Sequence, residues 1–329
     1  MKGVLIPMTL MTHDDKRAAR REIARVNRFN LLYNLIFMIM SFSAMVASVA
    51  PMIADDPNVA LDKVESLMMQ QSGVVSLVTL TFGALFVLAN RRSRLFREDF
   101  RTPDRRALTA RVFVCCVVLF FTCQVLYSVL DPIVRWIAGQ FGYSLYSTGE
   151  SLAEAPDDLA MILYAGFLGP VMEEVVYRGV IMRGLAKYGK VFAIVTSAAL
   201  FGIFHGDVVQ GIFAFAAGLI FGYVAMEYGI GWSIVLHIFN NFVLADVFMR
   251  ALALLPDAWQ DPVQIAVVCS IGLIGGALVL WKHRAALADY VRANRTEKGL
   301  IPLLWTVPSF WLFLLVQLAM TSLTFTKIG

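Results

Sequence analysis

Nine runs of apolar residues, separated by segments of alternating charge, constrain this chain more than any other feature. They fall at 29–53, 73–89, 112–137, 159–182, 191–204, 208–226, 230–249, 265–281 and 301–325. A helix needs about 20 mostly apolar residues to cross a bilayer, because lipid offers its backbone no hydrogen-bond partner. The run at 191–204 is short for that task. The composition agrees with a lipid-facing surface: 59% of residues are hydrophobic and 16% are charged, with a mean hydropathy of +0.70. Soluble domains carry about 25% charged residues. A soluble domain, a disordered chain and a disulfide scaffold are therefore excluded.

Charge tests the span count. Lys and Arg concentrate in cytoplasmic loops. Of the 28 basic residues, 24 lie in the N-terminal tail and in or near the segments after the second, fourth and eighth runs. The tail holds Lys2, Lys16, Arg17, Arg20, Arg21, Arg25 and Arg28. The segment after the second run holds Arg91, Arg92, Arg94, Arg97, Arg101, Arg105, Arg106 and Arg111. Arg178, Arg183, Lys187 and Lys190 belong in or near the fourth segment, and Lys282, Arg284, Arg292, Arg295 and Lys298 belong to the eighth. The segments after the first and third runs carry acids instead: Asp55, Asp56, Asp62 and Glu65, then Glu150, Glu154, Asp157 and Asp158. This pattern predicts a cytoplasmic N-terminus, and an outer interface for residues 152–158. The first run is too long for a signal-peptide core and is read as a retained span. Compact arginine-rich loops suggest a bacterial inner (plasma) membrane.

The same reading accounts for the basic patches. The net charge is only +4, and the arginines of 91–111 lack the interleaved aromatics of a nucleic-acid surface. They are expected to set topology and touch lipid headgroups, and no nucleic-acid partner is expected. Cys115, Cys116, Cys123 and Cys269 all lie inside apolar runs without zinc-ligand spacing. They read as small buried hydrophobes.

Ionisable groups at bilayer depth cost about 2.5–3.5 kcal/mol each on insertion scales, so their placement is informative. Asp131 and Arg135 sit near a run's end, within reach of the interface. The rest concentrate in the centre of the chain: Glu173, Glu174 and Arg178 in the fourth run, His205 at the end of the fifth, and His237, Asn240, Asn241 and Asp246 in the seventh. Helical spacing sorts them. Glu174 and Arg178 are four apart with the acid first, the better order for an ion pair. Glu173 points about 100° away, on the face of Tyr177. Phe201 shares a face with His205, and His237 with Asn241. Glu173 and His205 each lie 16 residues from Gly189, so a hairpin turning there brings them level.

A free carboxylate beside a histidine can hold and deprotonate a water. A second histidine and an amide suit a developing oxyanion. Together they describe amide hydrolysis without a covalent nucleophile. Transport or proton relay, and a polar network gluing helices together, remain open from these residues alone. So does a zinc site at Glu173, His205 and His237. A serine nucleophile at Ser233, four before His237, lacks an evident acid partner.

The ordered motifs narrow the choice. Glu173, Glu174 and Arg178 fit Glu-Glu-x-x-x-Arg, Phe201 and His205 fit Phe-x-x-x-His, and His237 and Asn241 fit His-x-x-x-Asn. In this order, on successive apolar runs, they resemble the CAAX protease and bacteriocin-processing family, whose eukaryotic members are type II CAAX prenyl endopeptidases. The resemblance spans roughly 159–249. It implies an intramembrane glutamic-type endopeptidase with Glu173 and His205 activating water and His237 and Asn241 binding the oxyanion. Glu174, Arg178, Phe201 and Tyr177 would support them. No cofactor is expected, zinc being the lesser alternative. The implied partners are membrane lipid and a peptide or protein substrate, prenylated or otherwise membrane-associated. A non-catalytic immunity or scaffold protein is the rival class.

The expected architecture is an all-α transmembrane bundle of eight or nine spans, its catalytic core in the four central ones. It divides into a basic tail (1–28), a three-span region (29–158), the core (159–249) and a two-span region (250–329). The Ala214, Gly218 and Gly222 stripe is expected to let a neighbouring helix approach closely.

Overall fold

A computed structural model describes residues 12–100, 106–145, 158–296 and 299–328. Among these the chain is an all-α bundle. Seven helices are long and apolar enough to cross a membrane: α1 (His13–Asp55), α2 (Leu61–Arg91), α3 (Ala110–Gln140), α4 (Leu159–Tyr188), α6 (Val208–Glu227), α7 (Ile230–Leu252) and α8 (Asp257–Ala293). Two shorter apolar helices, α5 (Lys190–Phe204) and α10 (Pro308–Leu323), match the remaining runs. A short helix α9 (Leu300–Leu304) precedes α10. Every apolar run read from the sequence is thus a helix, and the chain is an integral multi-pass membrane protein.

The basic tail is part of α1. A capping box starts the helix: Asp15 N–H donates to Thr12 Oγ1 and Thr12 N–H donates to the Asp15 carboxylate, both at 3.1 Å. This satisfies two otherwise orphaned donors. Ala19, Ile23 and Val26 then recur at helical spacing and are fully buried. Arg20 ties this segment to Thr306 through two hydrogen bonds of 3.1 and 2.9 Å. Residues 12–28 therefore continue the first span without a break.

Two sets of contacts gather the loops at opposite ends. At one end Glu227, closing α6, accepts from Lys190 Nζ at 2.7 Å and from the Tyr290 hydroxyl at 2.9 Å. Its backbone carbonyl accepts from Arg106 N–H, and Val191 N–H donates to Asn294. The basic segments after the second, fourth and eighth runs thus meet at one rim. At the other end β1 (Tyr143–Leu145) pairs antiparallel with β2 (Phe325–Lys327). Arg135 bridges Asp131 and the Leu145 carbonyl there. Six apolar helices, α4 to α8 and α10, separate the two strands in the chain. Residues 146–157, with Glu150, Glu154 and Asp157, lie outside the described residues, as do Lys2, Arg101, Arg105 and Lys298. Arg178 does not belong with the fourth loop's cations, because it lies inside the bundle with 1% exposure.

The central helices pack most closely. Gly189 and Gly229 adopt φ of 123° and 106°, so left-handed turns close the α4–α5 and α6–α7 connections without the steric cost a Cβ would bring. The small-residue stripe faces α5: a Cβ added at Gly218 would come within 3.2 Å of Ala198, and one at Gly222 within 3.0 Å of Ile194. Cys116 and Cys123 are buried in α3, while Cys115 and Cys269 are half-buried.

Candidate active site

α4, α7 and the end of α5 carry the polar cluster, and neither α4 nor α7 is a regular α-helix there. α4 is π-helical over Ile162–Leu168 and Val175–Met182, on either side of Gly169–Glu174. α7 turns π-helical at Phe239–Val247, just past His237. Such widened turns re-aim side chains and are frequent at functional sites. Pro170 supplies one cause, because it has no N–H to donate to the preceding turn. The Ala165 carbonyl, five residues before it, accepts instead from Asn241 Nδ2 at 3.2 Å. The Asn241 side-chain oxygen in turn accepts from Asn240 at 2.9 Å.

Glu174 is fully buried and saturated with partners. Its Oε1 lies 3.0 Å from Arg178 Nη1 and 3.0 Å from His237 Nδ1. Its Oε2 accepts from Ser233 Oγ at 2.5 Å. The helix geometry read from the sequence anticipates the Arg178 pair. It does not anticipate that one carboxylate also holds two groups from α7. Ser233 and His237 are four apart, so they share a face, and that spacing was the available signal. Ser233 has its acid, yet its one hydroxyl proton is shared between the Glu174 carboxylate and the Phe221 carbonyl, 3.0 Å from Oγ, and the side chain is fully buried. It positions Glu174 rather than facing a substrate.

Arg178 is enclosed by aromatics. Its guanidinium carbon stands 4.4 Å from the Phe201 ring centroid and 5.3 Å from that of Phe221. Desolvated cation–π contacts are worth roughly 2 kcal/mol. Gly218 allows one more contact, with Arg178 Nη2 donating to its carbonyl at 3.3 Å. Phe221 also stacks on the His237 ring at 4.4 Å. Phe221 lies in no motif, and only the packing of α6 against α7 reveals it.

Glu173 differs. Its side chain keeps 19% exposure, and one carboxylate oxygen lies 3.5 Å from His237 Nε2. His205 sits within electrostatic reach of Glu173 and His237. Its Nδ1 lies 2.8 Å from the Phe201 carbonyl. A carbonyl can only accept, so that nitrogen carries a proton, and in the neutral ring Nε2 then keeps its lone pair. Tyr177 is fully buried and its ring packs on Phe201 at 5.1 Å. The structure thus brings Glu173, Glu174, Arg178, Tyr177, Phe201, His205 and His237 together and reaches Asn241 through Ala165. Among the described residues no group of three His, Cys, Asp or Glu is arranged to hold a metal ion. A cavity of about 320 Å³ opens between α5, α6 and α10, beside Gly202, Asp207 and Gln317. None of Glu173, Glu174, His205 and His237 lines it.

Residues 155–243 match the family described as type II CAAX prenyl endopeptidase Rce1-like. The matched stretch contains all three motifs and nearly coincides with the 159–249 expected from them. No curated protein and no solved structure matches the chain.

Proposed function

We propose that this protein is an intramembrane endopeptidase in which Glu173 is the general base. One observation carries the reading. Of two adjacent carboxylates, Glu174 is sealed and spends its oxygens on Arg178, His237 and Ser233, while Glu173 is partly open and only 3.5 Å from an imidazole. A positioned base must be reachable by water, and a carboxylate already saturated by donors is a poor proton acceptor.

The chemistry follows. A water sits between Glu173 and the lone pair on His205 Nε2. Glu173 takes its proton as the oxygen attacks the scissile carbonyl. The tetrahedral oxyanion is met by the second N–H of the Asn241 amide, the first being engaged by Ala165. His237 lines the same oxyanion site through Nε2, its Nδ1 being held by Glu174 at 3.0 Å. Collapse breaks the C–N bond, and the proton held on Glu173 passes to the leaving amine. Glu174 and Arg178 hold His237 at the angle this requires and touch no reacting atom. The sequence needs no metal ion. About one zinc per chain in the purified protein, removable with loss of cleavage, would replace it with a metal-dependent reading.

By the positive-inside bias, the rim at Glu227 faces the cytoplasm. The substrate class is a peptide held at the membrane, lipidated or not. Proteomics of cleaved termini, comparing wild type with Glu173→Gln, tests the reading. Termini that vanish in the variant at normal protein abundance support it. An unchanged phenotype with Glu173→Gln would return the cluster to the role of helix glue.

A further inference from the structure

The first span carries a polar stripe that the reaction above does not use. Asn27, Asn30 and Asn34 recur at spacings of three and four along α1 and are buried, with 1%, 0% and 1% exposure. Residues so spaced share one helical face. That face lies against the second half of α4. Val26 packs at Gly184, where an added Cβ would come within 3.0 Å of its methyl. Seven to eight residues deeper, Tyr33 and Asn34 flank Tyr177. The two helices therefore run antiparallel in register, from the basic rim to the catalytic level. Tyr33 and Tyr177 are both within electrostatic reach of Glu173.

Part of the stripe is satisfied by protein. Asn27 Nδ2 donates to Ile23 O at 2.9 Å, Asn34 Nδ2 to Asn30 O at 2.8 Å, and Gln317 on α10 to Asn34 Oδ1 at 3.1 Å. Two atoms are not: Asn27 Oδ1 and Asn30 Nδ2 are buried with no hydrogen-bond partner among the described residues. At the inner end of the stripe the Tyr177 hydroxyl faces the Asn34 side chain. Buried polar atoms are almost always paired, with ordered water where protein is lacking. A buried water typically needs two to four polar partners. Here an acceptor, a donor and a hydroxyl line one seam over roughly 10 Å of helix, ending beside the one open carboxylate.

We propose that the Asn27, Asn30 and Asn34 face of α1 binds a file of ordered waters that leads from the basic rim to Glu173 and supplies the water consumed in hydrolysis. The inference rests on the reading of Glu173 as base for its second half only; the water site itself does not. Hydrolysis inside a bilayer consumes one water per turnover, and hydrocarbon delivers water poorly. A line of amides shared between two helices gives that water a path that the lipid-facing surface lacks. Tyr177 and Asn30 are then positioning residues, acting on the nucleophile through the water they hold.

Radiolytic hydroxyl-radical labelling of the full-length protein in detergent tests this, because radicals born from bound water modify the side chains beside it. Tyr177 and Tyr33 are as buried as Phe120, which lies in an apolar cluster. Labelling of both tyrosines well above Phe120 is expected in the wild type, and labelling at the Phe120 level overturns the water file. This arm needs no variant and no substrate, so an inactive protein with labelled tyrosines would remove the protease reading and leave the water site standing. Asn30→Leu keeps the side-chain volume and seals the seam. It should abolish Tyr177 labelling and lower kcat by about tenfold to a hundredfold with KM unchanged, as a misplaced nucleophile costs rate rather than binding. Full kcat in that variant would overturn the supply role. An Asn30→Leu protein that loses thermal stability but keeps wild-type Tyr177 labelling would make Asn30 purely structural and overturn its place in the water file.

Discussion

Two glutamates in this protein each bind several partners, and they sit in opposite settings. Glu174 is in the bundle's interior with no exposed surface, and its partners Arg178, His237 and Ser233 are also buried. Glu227 closes α6 at the rim, where Lys190 and Arg106 retain 42% and 66% exposure. The chemistry of the bonds is alike, but the alternative available to each group is not. At the rim, water replaces any partner that is lost. In the interior nothing does, so each member of the Glu174 set depends on the others. The interior cluster can therefore hold an imidazole at a fixed angle, whereas the rim cluster fastens three connecting segments to one point.

The comparison breaks most readily at Glu174. Glu174→Ala strands Arg178 among Phe201, Phe221 and the Gly218 carbonyl, and should cost about 3–5 kcal/mol in thermal unfolding in detergent. Arg178→Ala should cost about as much, and the double variant less than the two combined, because neither charge is then left unpaired. Stability near wild type for Glu174→Ala would mean that the interior set behaves like the rim.

Gly218→Ala probes the same cluster through the backbone. Its Cβ would stand 3.1 Å from Arg178 Nη2 and 3.2 Å from Ala198. Overpacking of this kind costs roughly 1–3 kcal/mol, and the same melting assay should register it. Ser233→Ala removes one donor from Glu174 and is expected to cost about 1–2 kcal/mol. Loss of cleavage in Ser233→Ala together with full stability would instead make the hydroxyl a reacting group.

At the rim, Glu227→Gln should cost about 1 kcal/mol or less, and raising salt should shrink the difference from wild type. A large, salt-independent loss would show that the rim is as closed as the interior. The smallest stability change is expected for Glu173→Gln, within about 0.5 kcal/mol, since its side chain is partly open and has one long contact. That same variant should lose cleavage entirely. A Glu173→Gln protein that unfolds while Glu174→Ala does not would reverse the roles of the two carboxylates.

Spacing made the Glu174–Arg178 pair legible, because it depends on helix geometry alone, while the level expected for Glu173 and His205 depended also on the turn at Gly189. The partners of those groups were not legible in the same way. Phe221 carries no charge and sits in a run of similar residues, so nothing local marks it as the ring that stacks on His237. Asn27, Asn30 and Asn34 keep helical spacing across the start of the first apolar run, and that was a readable signal. Amides escape a search for ionisable groups. Ser233 was read against the question of a nucleophile, while its hydroxyl serves as a donor to an acid 59 residues away.

The amino-acid sequence by itself determined that this chain is a multi-pass helical membrane protein, where its helices lie, and which stretch carries the motifs. Those properties follow from run length, charge alternation and the 3.6-residue turn, which act within a segment or between neighbouring ones. The tertiary structure decided which carboxylate is sealed and which is open, where π turns re-aim the side chains, and that the first span closes against the fourth. Those outcomes depend on which helix covers which face. Burial and hydrogen-bond pairing are set by residues distant in the chain, and no local pattern encodes the distance between them.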